Sequence, residues 1–215
     1  MGARSYGQYC GLARALDIIG ERWSLLIVRE LLVGPARYSD LAARLPGIAT
    51  NLLADRLKAL AAAGVVERRL ADDRNSVLYA LTPWGEQLRE PVEALLRWSL
   101  PLMRSGPGED AFRGHWLAVA LRALLHGRTS HDLVTVGVEC HDTRLAVQVD
   151  QTGPSVVLHP DPLPSTTLRA RAEVVLGLAA GELGIEEALE VGELRGDPEV
   201  LAEVFTSTSR GSAGR

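Results

Sequence analysis

The 215 residues are enough for one large domain or for two domains of ordinary size. With 47% hydrophobic and 23% charged residues, the composition is that of a globular protein and excludes a disordered or fibrous one. Arg, Asp or Gly interrupts every apolar run before it reaches the roughly 18 residues of a membrane span, and the N-terminus lacks the apolar region of a signal peptide. We therefore expect a cytoplasmic protein with no membrane partner.

Charge divides the chain into two unlike halves. Residues 1–104 carry 14 Arg+Lys against 11 Asp+Glu, a net of +3, whereas residues 105–215 carry 9 against 16, a net of −7. This asymmetry predicts two domains with different partners, and a mildly basic first half is compatible with nucleic acid. The two cysteines, Cys10 and Cys140, form no CxxC motif and predict no disulfide framework.

The first half reads as four helices followed by a β-hairpin. The helices are predicted at 9–20, 24–34, 38–45 and 47–64, and glycines end three of them: Gly20, Gly34 and Gly64. Two strands follow at 65–70 and 76–81, joined by the polar turn 71–75. Thr82 then caps a long helix that extends to Met103, with Pro83 in its first turn and a kink or division at Pro91.

The fourth helix carries a polar face opposite a buried one. Its buried stripe consists of Leu53, Leu57 and Leu60, which recur at helical spacing. Its other side presents four polar residues, Thr50, Asn51, Asp55 and Lys58. Elsewhere in this half, we expect core positions at Trp23, Leu26, Leu31 and Tyr79, and core or dimer-interface positions at Trp84 and Trp98.

The second half has a different pattern. A Gly/Pro-rich segment at 104–110 marks the boundary, and a helix at 115–127 follows it. Alternating valines and leucines then predict strands around 134–138, 145–149 and 156–158. A strand, a helix, a Gly turn, a short helix, a strand and a last helix close the domain, and we expect the tail 207–215 to be disordered.

Four blocks of the first half resemble the HxlR family of winged-helix transcriptional regulators. They are "ARALDIIGERWSLLIVREL", "GPARYSDLAARLPGI", "NLLADRLKALAAAGVVERR" and "YALTPWG", and the resemblance covers residues 9–104. It implies a homodimer that binds double-stranded DNA at a pseudo-palindromic operator and acts as a repressor. In such a protein the first helix and the long helix after the wing form the dimer interface.

On this resemblance, the fourth helix is the recognition helix. Thr50, Asn51 and Lys58 would then face the major groove, while Arg37 and Ser39, at the start of the preceding helix, would contact phosphates. Without the family context, the same polar face would be read as a solvated one.

Arg56 and the wing complete the predicted contacts. Arg56 either reaches a phosphate or pairs with Asp55 or Glu67. At the hairpin tip, Arg74 and Asn75 are expected to contact the DNA backbone, although the two aspartates beside them weaken this expectation.

The start of the recognition helix departs from the family pattern, because Ala49 stands where a serine is common. Either Thr50 caps the helix instead, or the cap is weaker by about 1 kcal/mol.

Cys10 stands where some family members sense oxidants through a cysteine. A sensor thiol needs a lowered pKa, and Arg14 is the obvious nearby cation. The competing reading is a small buried residue near the dimer axis. A redox-sensing regulator with a structural C-terminal domain is therefore one alternative function.

Two segments of the second half, "DLVTVGVECHDTRLAVQVDQTGPSVVL" and "LAAGELGIEEALEVGELRGDPEVLAEV", resemble sterol-carrier-protein-like domains, and the resemblance covers residues 112–206. It implies an apolar tunnel for a small hydrophobic effector. The candidate ligand-binding residues are Trp116, Ala120, Leu124, Val136, Val147 and Val149. The alternatives are a filled pocket that only supports dimerisation, or a hydrophobic-ligand carrier that does not regulate transcription.

No catalytic or metal motif is visible. The five histidines show no HExxH or HxxxH spacing, and GxSxG is absent. We expect no enzyme, no cofactor and no metal. The fold class expected is α+β, with an HxlR-type winged helix-turn-helix domain at 1–104, a sterol-carrier-like α+β domain at 112–206 and a flexible tail at 207–215.

Overall fold

The computed structural model describes residues 5–71, 76–103, 106 and 108–206. The chain divides into two compact units, Met1–Val92 and Glu93–Arg215. Both contain helices and strands, which confirms an α+β protein at the level of fold class. The domain limits expected at 104 and 112 stay a prediction, and the tail at 207–215 lies outside the described residues.

Four helices open the first unit, in the predicted places. They are α1 (Gly11–Ile19), α2 (Ser24–Val33), α3 (Tyr38–Arg44) and α4 (Thr50–Ala62), and a short strand β1 (Ala36–Arg37) precedes α3. Gly64 adopts a φ of 76° directly after α4, a conformation that costs glycine little. The chain therefore turns at once from α4 into the hairpin.

The hairpin consists of β2 (Val66–Leu70) and β3 (Val77–Leu81), paired antiparallel. β1 pairs with the other edge of β3 to give a three-stranded sheet in the order β1-β3-β2. Helix pair and sheet together have the order of elements of a winged helix-turn-helix. The hairpin tip, 72–75, lies outside the described residues.

The long helix after the wing is divided. Thr82 caps a short helix α5 (Pro83–Glu86), where the Gly85 N–H donates to Thr82 Oγ1 at 3.0 Å, and α6 (Arg89–Met103) follows. Pro91 lies in the first turn of α6, where a missing N–H leaves no helical bond unmade. The division expected at Pro91 is therefore found just before it.

The core of the first unit confirms some positions and corrects others. Leu31 is buried as predicted, together with Ile27, its neighbour one turn earlier on α2. The prediction that Leu26 is a core residue is wrong, because the residue is 41% exposed. Since α2 is apolar at most positions, its periodicity does not distinguish the inner face from the outer one. Trp23 and Tyr79 are only half-buried.

The second unit follows the predicted order of elements. A 3-10 turn at Gly114–Trp116 leads into α7 (Leu117–Leu124), and three strands follow as β4 (Val134–Cys140), β5 (Thr143–Asp150) and β6 (Gly153–Leu158). The closing elements are β7 (Thr167–Arg169), α8 (Ala172–Ala180), α9 (Ile185–Val191), β8 (Glu193–Arg195) and α10 (Pro198–Phe205).

These strands form a five-stranded sheet in the order β6-β5-β4-β7-β8. β7 runs parallel to β4, and the other neighbours are antiparallel. One face is apolar and contributes Val136 and Val147, paired across β4 and β5, to the core of this unit. Glu139 of β4 forms ion pairs with Arg144 of β5 at 3.4 Å and with Arg169 of β7 at 3.3 Å.

Candidate nucleic-acid interface

Helix α4 is anchored on one side and open on the other. Leu53, Leu57 and Leu60 are almost completely buried, as their spacing predicts. Four polar residues of the other side, Thr50, Asn51, Asp55 and Lys58, are exposed. The helix therefore presents a polar outer face, and α3 is the helix that precedes it across the turn 45–49.

The start of α3 is fixed by a local hydrogen bond and holds the start of α4. Asp40 accepts a hydrogen bond from the backbone N–H of Arg37 at 3.2 Å, and Ser39 Oγ lies 3.4 Å from the same carboxylate. The Tyr38 hydroxyl donates to the Thr50 carbonyl at 2.6 Å. Arg37 and Ser39 are exposed, as phosphate-contacting residues must be.

The sequence left two alternatives for the N-terminus of α4, a cap by Thr50 or a weaker cap, and the first is not found. Ala49 is the N-cap and Thr50 is already the first helical residue, so the prediction that Thr50 caps the helix is wrong. Instead, Asn51 Oδ1 accepts a hydrogen bond from the Leu52 N–H at 2.9 Å, which satisfies one of the first-turn donors. The first turn contains no acidic residue, so its partial positive charge is not neutralised there.

Arg56 points away from both predicted acidic partners. Its guanidinium donates to Glu21 Oε2 at 2.8 Å and to the Arg22 carbonyl at 3.3 Å. Pairing with Asp55 or Glu67 is therefore wrong, because the residue lies on the side of α4 that faces the α1–α2 turn. Glu67 bonds to another arginine of its own strand.

The wing contributes a residue that the sequence analysis did not single out. Arg68 is exposed on β2, beside Arg69, which bonds to Glu67 at 2.6 Å. Alternation within "VVERRL" gives no signal for this exposure, because it places Arg68 on the same side as both buried Val66 and exposed Leu70. Arg74 and Asn75 lie outside the described residues.

Cys10 lies at the N-cap of α1 and is exposed within the chain, so the reading of a buried residue is not supported by the single chain. The backbone N–H groups of Ala13 and Leu12 lower the pKa of its thiol. Arg14, the expected cation, bonds to Ser5 Oγ at 3.4 Å and lies 3.6 Å from Asp17 Oδ2. The start of the helix, rather than a side chain, therefore favours the thiolate.

The candidate ligand-binding residues fall into two groups. Val136, Val147 and Val149 are buried and belong to the continuous core of the second unit. The other three, all between residues 116 and 124, are half-buried: Trp116, Ala120 and Leu124.

No helix within residues 5–71, 76–103, 106 and 108–206 is long and apolar enough to cross a membrane. Nor do the His, Cys, Asp and Glu residues within those ranges form a group of three that could hold a metal ion.

Comparison with known proteins identifies the first half of the chain. The family described as HxlR-like helix-turn-helix matches residues 18–105. The uncharacterized HTH-type transcriptional regulator YvaP of Bacillus subtilis (strain 168) is 36% identical over 87 residues, which are 40% of this chain and 81% of YvaP. The HTH-type transcriptional regulator YodB of the same organism is 34% identical over 86 residues, which are 40% of this chain and 77% of YodB.

Among solved structures, the quinone-bound YodB from B. subtilis aligns with a TM-score of 0.37 and 31% identity, over 41% of this chain and 93% of that one. The two curated relatives exceed 30% identity over most of their own length. The chain therefore belongs to the HxlR-like helix-turn-helix family of transcriptional regulators.

Proposed function

We propose that the protein is a repressor that binds a pseudo-palindromic operator as a homodimer and inserts α4 into the major groove. The observation that carries this proposal is the division of α4 between a fully buried leucine stripe and an exposed polar face. Such a helix is held rigidly by its core side while its outer side is free to contact base edges.

The exposed residues suit two kinds of contact. Thr50, Asn51 and Lys58 lie on the outward side of α4 and are assigned to the groove. Arg37 and Ser39, at the start of α3, are assigned to phosphates. The absence of acidic residues in the first turn of α4 allows that helix end to approach the DNA backbone without repulsion.

Arg56 has a different role in this proposal. Because Glu21 and the Arg22 carbonyl occupy its guanidinium, it positions α4 from behind rather than contacting DNA. In the wing, Arg68 joins Arg74 and Asn75 as a proposed contact with the DNA backbone, since it is exposed on β2.

Exposed apolar side chains support the homodimer. On α6, Leu95, Trp98 and Leu102 recur on one side of the helix and are exposed, Trp98 by 75%. On α1, Leu12 and Leu16 are exposed as well. Large apolar residues exposed together on one helix are typical of a surface that is covered in solution, and each of these two helices shows this separately.

The salt dependence of operator binding tests the DNA interface. Fluorescence anisotropy with a selected operator duplex should give log K a slope of about −0.9 per phosphate contacted. Arg37→Ala should reduce this slope by about 1 for each protomer, because Arg37 is assigned to a phosphate, whereas Lys58→Ala should leave the slope and relax specificity at one base pair. Arg113→Ala, which removes an exposed cation of the second unit, is the matched control and should change neither.

The second unit is proposed to bind a small hydrophobic effector. This proposal rests on the order of elements from β4 to α10 and on the half-buried apolar residues of α7. Native mass spectrometry of freshly purified protein should show a dimer that carries a co-purifying molecule. A dimer of bare chains that also takes up no fatty acid or sterol would argue for a domain that only supports dimerisation.

A redox response through Cys10 is the second candidate, and the exposed thiol with its lowered pKa favours it. In that case diamide or benzoquinone should release the protein from DNA, and Cys10→Ser should abolish the release. Unchanged release by Cys10→Ser would rule out this candidate without affecting the DNA-binding proposal.

A further inference from the structure

The first unit contains an apolar pocket of its own. The pocket has a volume of about 110 Å³ and lies between α1 and the region where the wing meets α5. Its walls are formed by Ala15, Ile18 and Ile19 on one side and by Val65, Trp84 and Leu88 on the other. Gln87 supplies the remaining lining residue and is exposed.

The volume and chemistry of the pocket define what it can hold. A closed apolar cavity of roughly 150 Å³ encloses benzene. This pocket, at about 110 Å³, is smaller but open, so it can cover most of one six-membered ring and leaves the substituted edge at its mouth. None of its lining residues is charged, which disfavours an ion. The half-exposed indole of Trp84 and the amide of Gln87 provide an aromatic wall and a hydrogen-bonding group.

The wall on the wing side is firmly fixed. The Val65 N–H donates to the Leu60 carbonyl at 2.9 Å, and the Val65 carbonyl accepts from the Thr82 N–H at 3.0 Å. A Cβ added at Gly85 would collide with the same Val65 carbonyl, so α5 approaches this backbone as closely as only glycine allows. A ligand would therefore displace α1 rather than the wing.

The opposite wall is connected to the recognition helix. Ile19 is the last residue of α1, and Glu21 follows two residues later. Glu21 holds Arg56 of α4 at 2.8 Å, so a shift at the end of α1 reaches α4 through this ion pair.

We propose that this pocket binds a neutral molecule with a single ring and one polar substituent, of the phenol class, and that its occupation shifts α4 through Glu21 and Arg56. This effector site is separate from the one proposed in the second unit. Its test needs no operator, so it can fail or succeed independently of the DNA-binding proposal.

Isoleucine methyl NMR of the full-length protein tests the site with phenol as the probe. The chain has five isoleucines: Ile18, Ile19, Ile27, Ile48 and Ile185. Phenol should shift the δ1 methyls of Ile18 and Ile19 saturably and leave Ile185, in the second unit, unchanged. Ile48, in the turn before α4, should shift with the same saturation because it reports the movement of that helix.

Variants separate binding from coupling. Ala15→Leu fills the pocket and should raise the phenol concentration at half-saturation by about tenfold or more. Ala111→Leu adds the same atoms at an exposed position and should have no effect. Arg56→Ala, which removes the bonds to both Glu21 and the Arg22 carbonyl, should leave the shifts of Ile18 and Ile19 intact while removing that of Ile48.

Three results would overturn the proposal. One is the absence of any saturable shift at Ile18 and Ile19, and another is a shift that persists in Ala15→Leu. If Ala15→Leu alone shifts the Ile27 methyl, the variant disturbs the core. Trp84→Leu is then used in place of Ala15→Leu, because Trp84 is 52% exposed, and this variant must weaken phenol binding. The third is a shift that follows protein concentration but not phenol, which would assign the pocket to a second copy of the chain.

Discussion

The hydroxyl of Tyr38 donates a 2.6 Å hydrogen bond to the backbone carbonyl of Thr50. It joins the first residue of α3 to the first residue of α4, across the turn that separates the two helices. The leucine stripe fixes α4 along its length, whereas this bond fixes the end that approaches DNA in the proposed complex. Tyr38 therefore fixes the start of α4 relative to α3.

Tyr38→Phe should lower the free energy of unfolding by about 1 kcal/mol, the usual net value of one hydrogen bond. It should also weaken operator binding, because the start of α4 loses its support. Urea unfolding and anisotropy measure the two effects. Tyr79→Phe is the control, since no partner of its hydroxyl is recorded within the described chain; an equal loss in both variants would make the Tyr38 bond unimportant.

Ala49→Ser should stabilise the protein, because Ala49 is an N-cap without a side-chain acceptor. The gain should be small, about 0.5 kcal/mol, since Asn51 Oδ1 already takes the Leu52 N–H that an N-cap side chain would use. In an Asn51→Ala background that donor is free, and the same change should add about 1 kcal/mol.

Urea unfolding of the four proteins in this cycle measures the coupling between the two positions. Strict additivity would mean that the serine introduced by Ala49→Ser caps a donor other than the Leu52 N–H. A loss of stability in both backgrounds would show that the Ala49 backbone does not allow a cap.

Sequence patterns located nearly all elements of the fold, because their signals are local. Gly64 follows the end of α4, Thr82 caps the next helix, and the spacing of Leu53, Leu57 and Leu60 gives the buried face of α4. Where a helix is apolar at nearly every position, the hydrophobic pattern does not show which face is buried. All but three of the 10 residues of α2 are apolar, so Leu26 could not be distinguished from its buried neighbours.

The contacts of the candidate interface were less accessible from sequence. Arg56 and Glu21 are 35 residues apart, and only the packing of α1 against α4 brings them together. Thr50 was expected to be the N-cap from residue preference, but the backbone places the N-cap one residue earlier, at Ala49. The exposure of Cys10 likewise depends on how α1 begins.

Asn51→Asp should separate helix stability from DNA binding. An aspartate keeps the acceptor for the Leu52 N–H and adds a negative charge to the first turn, which stabilises a helix by about 0.3–1 kcal/mol. It loses the amide donor, which should lower affinity for the operator by about 1–3 kcal/mol and relax specificity at one base pair, and its added charge should weaken binding to any DNA through repulsion from phosphates.

Competition with single-base operator variants reads out the specificity of Asn51→Asp, and urea unfolding reads out its stability. Asn51→Ala should relax the same base pair without the gain in stability. An equal loss of affinity on random DNA in both variants would make Asn51 a contact to the DNA backbone.

Cys140 should make stability depend on pH above 9. Its burial, with smaller contributions from Glu173 and Asp142, raises the pKa of its thiol from 9.0 to about 11. The folded state therefore keeps the proton that the unfolded state loses, and stability falls as the pH rises from 9 to about 11, by an amount on the order of 2 kcal/mol. Urea unfolding of the wild type and Cys140→Ala between pH 8 and 11 measures it, and equal slopes would contradict the expectation.

The pKa of the Cys10 thiol is shifted in the opposite direction, downward. The N–H groups of Ala13 and Leu12 lower its pKa in the folded protein, so its alkylation by iodoacetamide should begin at lower pH in the native chain than in urea. Site-resolved mass spectrometry follows the two cysteines separately, and buried Cys140 should react only on unfolding.

The cause of the lowered pKa of Cys10 can be tested by removing the N–H group of Leu12. Leu12→Pro deletes an N–H in the first turn of α1, where proline is tolerated, and should move the native alkylation profile of Cys10 to higher pH. Leu12→Ala shortens the same exposed side chain but keeps the N–H, and should leave the profile in place. If both variants shift the profile equally, the side chain of Leu12 and not the helix start controls the thiol.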